Sequence, residues 1–277
     1  MTMGRREVLD LLAANGLRPS RALGQNFVAD GNTVRRIAKL AGVGRGDHVV
    51  EIGAGLGALT LALAETGAAV TAVEVDRHLV PVLESVVEGR GVSVLQADAR
   101  ALDWSTALAG AERWALVANL PYNVATPLVL DLLGGVPAID RMLVMVQREV
   151  GERLAAGVGD EAYGAVSVKV GYWATASVVG KVPPTVFVPQ PRVDSALVRI
   201  ERRPAPAVDV PYERFEALVR AGFATRRKML RRALAGIVPA GVIEAAGIDP
   251  ASRAEALDVE AWGRLTACAM SAEPPPS

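Results

Sequence analysis

Between residues 48 and 150, short apolar runs alternate with amphipathic stretches. His48–Ile52 is an apolar run that stops at Gly53. Ala58–Glu65 reads as a helix, Ala69–Val75 as a strand, and Arg77–Val87 as a helix with Leu79, Val82, Leu83 and Val86 on one face. Further strands are predicted at Val92–Gln96, Trp114–Ala118 and Met142–Val146, and helices at Thr126–Leu133 and Arg148–Ala156. Brief apolar runs bounded by turn residues fit strands covered on both faces. Their alternation with helices predicts βαβ units, and so an α/β fold with a mostly parallel sheet. Two more β-rich runs, Ala165–Ala174 and Val193–Ile200, lie around the segment Val182–Pro191 and predict an antiparallel end to the sheet.

The pattern changes after residue 203. Arg202–Pro211 contains Pro204, Pro206 and Pro211 and reads as a linker. A helical, Arg-rich stretch follows over Tyr212–Ala235, then a last helical piece and the tail Glu273–Ser277, which is expected to be disordered. The expected domains are 1–203, a catalytic unit with an N-terminal basic arm, and 204–277, a small helical unit.

Composition narrows the function classes. About half of the 277 residues (51%) are hydrophobic, enough for a sizeable core. One cysteine, Cys268, excludes an internal disulfide, and with only His48 and His78 beside it a typical zinc site is not expected. No apolar stretch reaches the length of a membrane span and Met1–Asn15 lacks a signal-peptide core, so a soluble cytoplasmic protein is expected. The 30 basic and 30 acidic residues cancel. That neutrality hides asymmetry. Arg220, Arg226, Arg227, Lys228, Arg231 and Arg232 form a stretch free of acids, with Arg220, Arg227 and Arg231 near one helical face and Phe223, Leu230 and Leu234 near another. Such a stripe suits phosphate contacts, although a solvated surface helix has the same pattern. A second basic set is Arg18, Arg21, Arg35, Arg36, Lys39 and Arg45.

Three successive strand ends carry candidate ligand-binding groups. Val49 to Gly57 runs from a strand into a G-x-G-x-G turn (Gly53, Gly55, Gly57) and a helix. Glycines let the backbone bend and approach a ligand, and the helix N-terminus offers N–H donors to a carboxylate or phosphate. A tight βα turn without a ligand would need the same glycines. The next strand ends at Glu74-Val75-Asp76. Either acid could accept ribose hydroxyls, with Glu74 favoured by its apolar neighbours and Asp76 able to cap the following helix instead. The third ends at Asp98, placed to accept from an adenine amine or to serve as an ordinary loop acid. A nicotinamide enzyme would satisfy the first two strands equally well.

The fourth strand discriminates. It ends Asn119-Leu120-Pro121-Tyr122, a version of the (D/N)-P-P-Y motif of amino-methyltransferases. An adenine N6 lone pair is delocalised into the ring and must become tetrahedral and partly positive to attack a methyl sulfonium. The Asn119 side-chain oxygen and the Leu120 carbonyl are the two acceptors that would favour this change. Pro121 stiffens the turn, and Tyr122 offers a face on which a base can stack. A base must leave its helix to reach such a site, so a second face would help. Phe187, among Pro183, Pro184 and Pro189, is one candidate, and core packing is its alternative.

With these motifs in order, the chain resembles the ribosomal RNA adenine dimethyltransferase family. The resemblance also rests on Leu23-Gly24-Gln25-Asn26-Phe27-Val28, Tyr163-Gly164 with Ser167-Val168, Val182-Pro183-Pro184, Phe187-Val188-Pro189, Pro191-Arg192-Val193-Asp194-Ser195 and Phe223-Ala224-Thr225-Arg226-Arg227-Lys228, and spans residues 20–235. It implies a Rossmann-like class I methyltransferase that uses S-adenosyl-L-methionine, releases S-adenosyl-L-homocysteine, and dimethylates two adjacent adenosines near the 3′ end of small-subunit rRNA. It implies a donor site of Asn26, Val28, Gly53, Glu74, Asp98 and Asn119, to which the reading of the glycine turn adds Gly55 and Gly57. Ala125 and Val28 depart from the family's usual serine and leucine. The expected partner is small-subunit rRNA or a partly assembled small subunit, met by a monomer without membrane association. The alternatives are a large-subunit rRNA dimethylase of the antibiotic-resistance type and a ribosome-assembly factor with little turnover.

Overall fold

The computed structural model describes residues 3–20, 22–121, 124–225 and 227–272. The chain divides into two compact units, Met1–Glu152 with Ser177–Arg202, and Arg153–Ala176 with Arg203–Ser277.

The first unit opens with α1 (Arg5–Ala14), the short β1 (Phe27–Val28) and α2 (Gly31–Ala41), which is capped by the Asp30 carboxylate accepting from Thr33 N at 2.6 Å. Then follow β2 (His48–Ile52), α3 (Ala58–Ala64), β3 (Ala69–Glu74), α4 (Val80–Val87), β4 (Ser93–Gln96), α5 (Trp104–Ala107), β5 (Trp114–Asn119), α6 (Ala125–Gly135), β6 (Ile139–Gln147) and α7 (Arg148–Ala155). β7 (Ala174–Val182), β8 (Phe187–Val188) and β9 (Ser195–Arg202) complete the strands. The main sheet has the order β4-β3-β2-β5-β6-β9-β7. From β4 to β6 all pairings are parallel, and β9 runs antiparallel to β6. Val49, Val50, Leu116 and Val144 are fully buried in the middle strands, as apolar runs without alternation require. β1 pairs separately with β8.

Strand order reverses between β2 and β5, the position where open α/β sheets leave a crevice beyond the strand ends. The register places Ile52 beside Ala118, so Gly53 and Asn119 emerge side by side. A Cβ on Gly53 would lie 3.6 Å from the Asn119 carbonyl oxygen.

The second unit consists of α8 (Ala165–Trp173), α9 (Tyr212–Ala224), α10 (Leu230–Ala233), α11 (Ala240–Ala245) and α12 (Val259–Ala272), around the fully buried Phe215 and Trp262. Gly222 lets α9 approach α12, since a Cβ there would collide with the Trp262 ring.

Two expectations are corrected. Ala165–Ala174 is the helix α8 and not a strand. Its Val166, Val168, Val170 and Tyr172 alternate as in a strand, but Ser167 and Val168 are buried together with Val170 and Tyr172, so the helix is apolar on more than one side and lacks a helical period. Ser167 Oγ accepts from Gly164 N at 3.2 Å and donates to the Arg153 carbonyl at 2.7 Å, fixing its start. The expected helix over Tyr212–Ala235 is broken. α9 ends at Ala224, Lys228 N turns back to the Thr225 carbonyl at 2.8 Å, and Met229 bridges to Arg253 before α10 begins. The break separates Arg220 on α9 from Arg227 in the turn and Arg231 on α10, so these three described residues do not share one helix. The tail Glu273–Ser277 lies outside the described residues.

Candidate active site

A pocket at the switch point is lined by Gly53, Ala54, Gly55 and Leu56 from the β2–α3 turn, by Glu74 and Val75 after β3, and by Asn119, Leu120 and Pro121 after β5. The segment Leu23–Val28 forms another wall, and Val8, Glu51, Ala58, Leu59 and Leu79 complete the lining. The three glycines have φ of 74°, 59° and 87°, values that L side chains adopt only under strain. A Cβ on Gly55 would also stand 3.0 Å from Phe27 Cδ1. Gly57 lies outside the lining. A Cβ there would meet Leu83 and Val86 of α4 at 3.0 and 3.1 Å, so this third glycine serves helix packing and not ligand approach.

Glu74 is buried, and both of its carboxylate oxygens are engaged. One accepts from Gly55 N at 2.7 Å, the other from Asp76 N at 2.9 Å. Burial raises its pKa, and the two backbone N–H groups oppose the rise. Asp76 does not cap α4, whose N-cap is Leu79; it accepts from His78 N at 2.9 Å in the turn that precedes the helix. Its other oxygen accepts from Gln25 Nε2 at 2.8 Å.

Asn119 donates from Nδ2 to the Asn26 carbonyl at 2.9 Å. With the amide nitrogen engaged there, Oδ1 is the atom Asn119 offers to the pocket it lines. Leu120 is buried, and its N–H donates to the Met145 carbonyl of β6 at 3.0 Å, which pins the turn. Tyr122, the expected stacking residue, lies outside the described residues, as do Asn123, Arg21 and Arg226.

Two expected site residues stand elsewhere. Phe187 is completely buried in the core and, as β8, pairs with β1 in register with Val28. The prolines around it position a packing residue, so as placed it presents no face to a base. Asp98 does not line the pocket. It forms a two-pronged pair with Arg100, Nε to Oδ1 at 3.2 Å and Nη2 to Oδ2 at 2.8 Å, and that guanidinium lowers its pKa.

The pocket also contains a residue to which the sequence motifs assigned no role. Glu51, next to last in β2, is 2% exposed, its Oε2 lacks a hydrogen-bond partner, and burial pushes its carboxyl up to about 8, with the charge of Glu74 adding to the rise. An acid within an otherwise apolar central strand was the available signal. A buried acceptor beside a glycine turn can neutralise a ligand cation.

In the second unit, Arg220, Arg227, Lys228, Arg231 and Arg232 are all exposed. Phe223 is partly buried, and Leu230 and Leu234 are fully buried in the helical core, so the basic and apolar residues do segregate.

Residues 17–269 match a family model described as ribosomal RNA adenine dimethylase. A Ribosomal RNA small subunit methyltransferase A of Cutibacterium acnes is 50% identical over 266 residues, covering 90% of this chain and 88% of that protein. Its namesake in Streptomyces coelicolor is 47% identical over 274 residues, with 95% of each covered. Among solved structures, the 23S rRNA methyltransferase ErmE superposes with a TM-score of 0.70 at 28% identity, over 88% of this chain and 99% of its own. A dimethyladenosine transferase from Plasmodium falciparum shares the fold, with a TM-score of 0.73 at 22% identity over 85% and 94%.

Proposed function

The chain belongs to the ribosomal RNA adenine dimethylase family and is a methyltransferase, and from that premise we propose that it methylates N6 of two adjacent adenosines near the 3′ end of small-subunit rRNA, giving N6,N6-dimethyladenosine during ribosome biogenesis in the cytoplasm. The observation that carries this reading is the orientation of Asn119. Its amide nitrogen is held by the Asn26 carbonyl at 2.9 Å, which leaves an acceptor for the hydrogens of an exocyclic amine.

The pocket fits S-adenosylmethionine. The positive-φ glycines make a cradle that a Cβ would fill, Glu74 is a buried acid at a strand end, and Glu51 is an orphaned buried acceptor suited to the ammonium of an amino-acid tail. When bound, the donor supplies a methyl group made electrophilic by its sulfonium and leaves as S-adenosylhomocysteine. Gly53, Gly55, Asn26 and Val28 would wall it, and Glu74 would accept from its ribose. Asp98 would hold its adenine amine once turned from Arg100. Asn119 Oδ1 and the Leu120 carbonyl accept from the target N6 and stabilise the positive charge that develops there. Preorganised acceptors of this kind contribute roughly 10²–10³ in rate. The basic residues of the second unit bind RNA phosphates.

The test offers labelled S-adenosylmethionine with unmethylated small subunits, unmethylated large-subunit rRNA and free adenosine, followed by nucleoside identification. Dimethyladenosine confined to the small subunit is the expected result. Label in large-subunit rRNA would assign the chain to resistance methylation, and donor binding without any label would assign it to assembly alone.

A further inference from the structure

Several side chains hold the wall of the pocket formed by the segment before β1, and that of Gln25 links it both to Ser20 and to Asp76. Its backbone N–H donates to the Ser20 carbonyl at 3.1 Å, and its Oε1 accepts from Ser20 N at 2.7 Å, so Gln25 closes the preceding loop on both backbone groups of Ser20. Its Nε2 then donates to Asp76 Oδ2 at 2.8 Å. Asp76 is joined to Glu74 through its own N–H, and Glu74 to Gly55. On the other side of Gln25, the Asn26 side chain donates to the Gly24 carbonyl at 3.1 Å, and the Asn26 carbonyl accepts from Asn119. A path therefore runs from the ribose-side acid to the acceptor for the reacting amine, through hydrogen bonds from Glu74 to Asp76 to Gln25, the backbone from Gln25 to Asn26, and the hydrogen bond from Asn119 to the Asn26 carbonyl.

We infer that Gln25 is a positioning residue for methyl transfer: by mooring its loop to Asp76 it holds the Asn26 carbonyl where that carbonyl fixes the Asn119 amide. This rests on the reading of Asn119 given above. A primary amide has two nearly isosteric faces, and only a fixed partner decides which one meets the substrate. Asn119 with its amide reversed would present N–H donors to the N6 hydrogens, the wrong polarity for the chemistry. Gln25 does not carry the fold. Phe27 and Val28 pair with Val188 and Phe187, and Ala29 N donates to the Val186 carbonyl at 2.7 Å, bonds in which the Gln25 side chain takes no part.

The experiment compares Gln25→Glu with the double variant Gln25→Glu/Asp76→Asn, with turnover on small subunits at saturating donor, donor affinity and thermal midpoint measured separately. Gln25→Glu sets a carboxylate against Asp76. The double variant restores the bond with donor and acceptor exchanged, and Asn at 76 can still accept from His78 N. Expected for Gln25→Glu is a fall in kcat of about tenfold or more, with the KM for the subunit and the melting point nearly unchanged, and recovery of most of kcat in the double variant. Unchanged kcat, loss confined to donor affinity, or loss that the double variant fails to recover would each overturn the inference. Asn119→Ala is the control. If it turns over normally, the reading of the site itself fails. If it is inactive while Gln25→Glu is normal, only the role of Gln25 fails.

Discussion

Asn119 donates its side-chain amide to the backbone carbonyl of Asn26 at 2.9 Å, joining residues 93 positions apart at the mouth of one pocket. Two variants separate the acceptor from its orientation. Asn119→Ala removes both and is expected to abolish methyl transfer while leaving donor binding measurable. Asn119→Asp keeps an acceptor but sets a carboxylate against the Asn26 carbonyl, and is expected to lose about 10²-fold in single-turnover rate. Retained turnover in Asn119→Ala would refute the assigned chemistry.

Glu51 predicts a pH dependence with a definite sign. Its carboxyl rises from an ordinary 4.5 to about 8 on burial, so folding favours the protonated form. The stability from this group is fully present below about 4.5 and is lost as pH rises through about 8. A bound ammonium reverses the preference, so donor affinity should increase with pH across the same window. Glu51→Gln keeps the shape without the proton. It is expected to hold its melting temperature better at pH about 8 and to bind donor more weakly, with a flatter pH profile. Calorimetric titration across that range checks both, and an unaltered affinity profile would remove Glu51 from the donor site.

The parts of this structure that sequence makes legible are those set by local chemistry. β2, β3 and β5 are brief apolar runs, and each ends on a residue that breaks the pattern, so Gly53, Glu74 and Asn119 stand out before any fold is known. The contribution of Asn26 is not legible that way, because its carbonyl acts on a side chain distant in sequence; only family resemblance points to it. Phe187 is the converse case. A phenylalanine among prolines has the look of an exposed platform, but the pairing of β1 with β8 turns it into the core. α8 is hidden by its own burial, since a helix apolar on several sides has no period to detect. The broken helix after Ala224 depends on the Met229–Arg253 bridge, a tertiary pairing without a local signal.

Arg202 predicts a stability effect remote from the pocket. At the end of β9 its guanidinium donates to four carbonyls, those of Leu133 at 2.7 Å, Ile139 at 2.9 Å, and Leu132 and Val136 at 3.1 Å. Leu132 and Leu133 lie in the last turn of α6, so the side chain acts as a charged C-cap. Arg202→Met retains the aliphatic stem and removes the donors. The expected cost is about 2–4 kcal/mol by urea unfolding, since several half-buried carbonyls lose their partners together. A cost below about 0.5 kcal/mol would mean that water replaces the guanidinium without penalty.

The exposed cations of the second unit predict how RNA binding responds to salt. The turn after α9 and the start of α10 bring Arg227, Lys228, Arg231 and Arg232 together, and the Met229 bridge adds Arg253 beside them. Each phosphate neutralised by such a group releases condensed counterions, so the logarithm of the binding constant falls linearly with the logarithm of salt. Replacing Arg227 and Arg231 by glutamine should weaken binding most at low salt and reduce the slope by about 1–2, one unit or less for each phosphate left without its cation. Neither residue belongs to the pocket, so donor affinity should stay unchanged, and kcat should recover at saturating RNA. That combination distinguishes an RNA-holding surface from damage to the catalytic unit. A slope that does not move, with affinity reduced equally at every salt concentration, would mean that these arginines support the fold of the helical unit and that the phosphates are met by the N-terminal basic set.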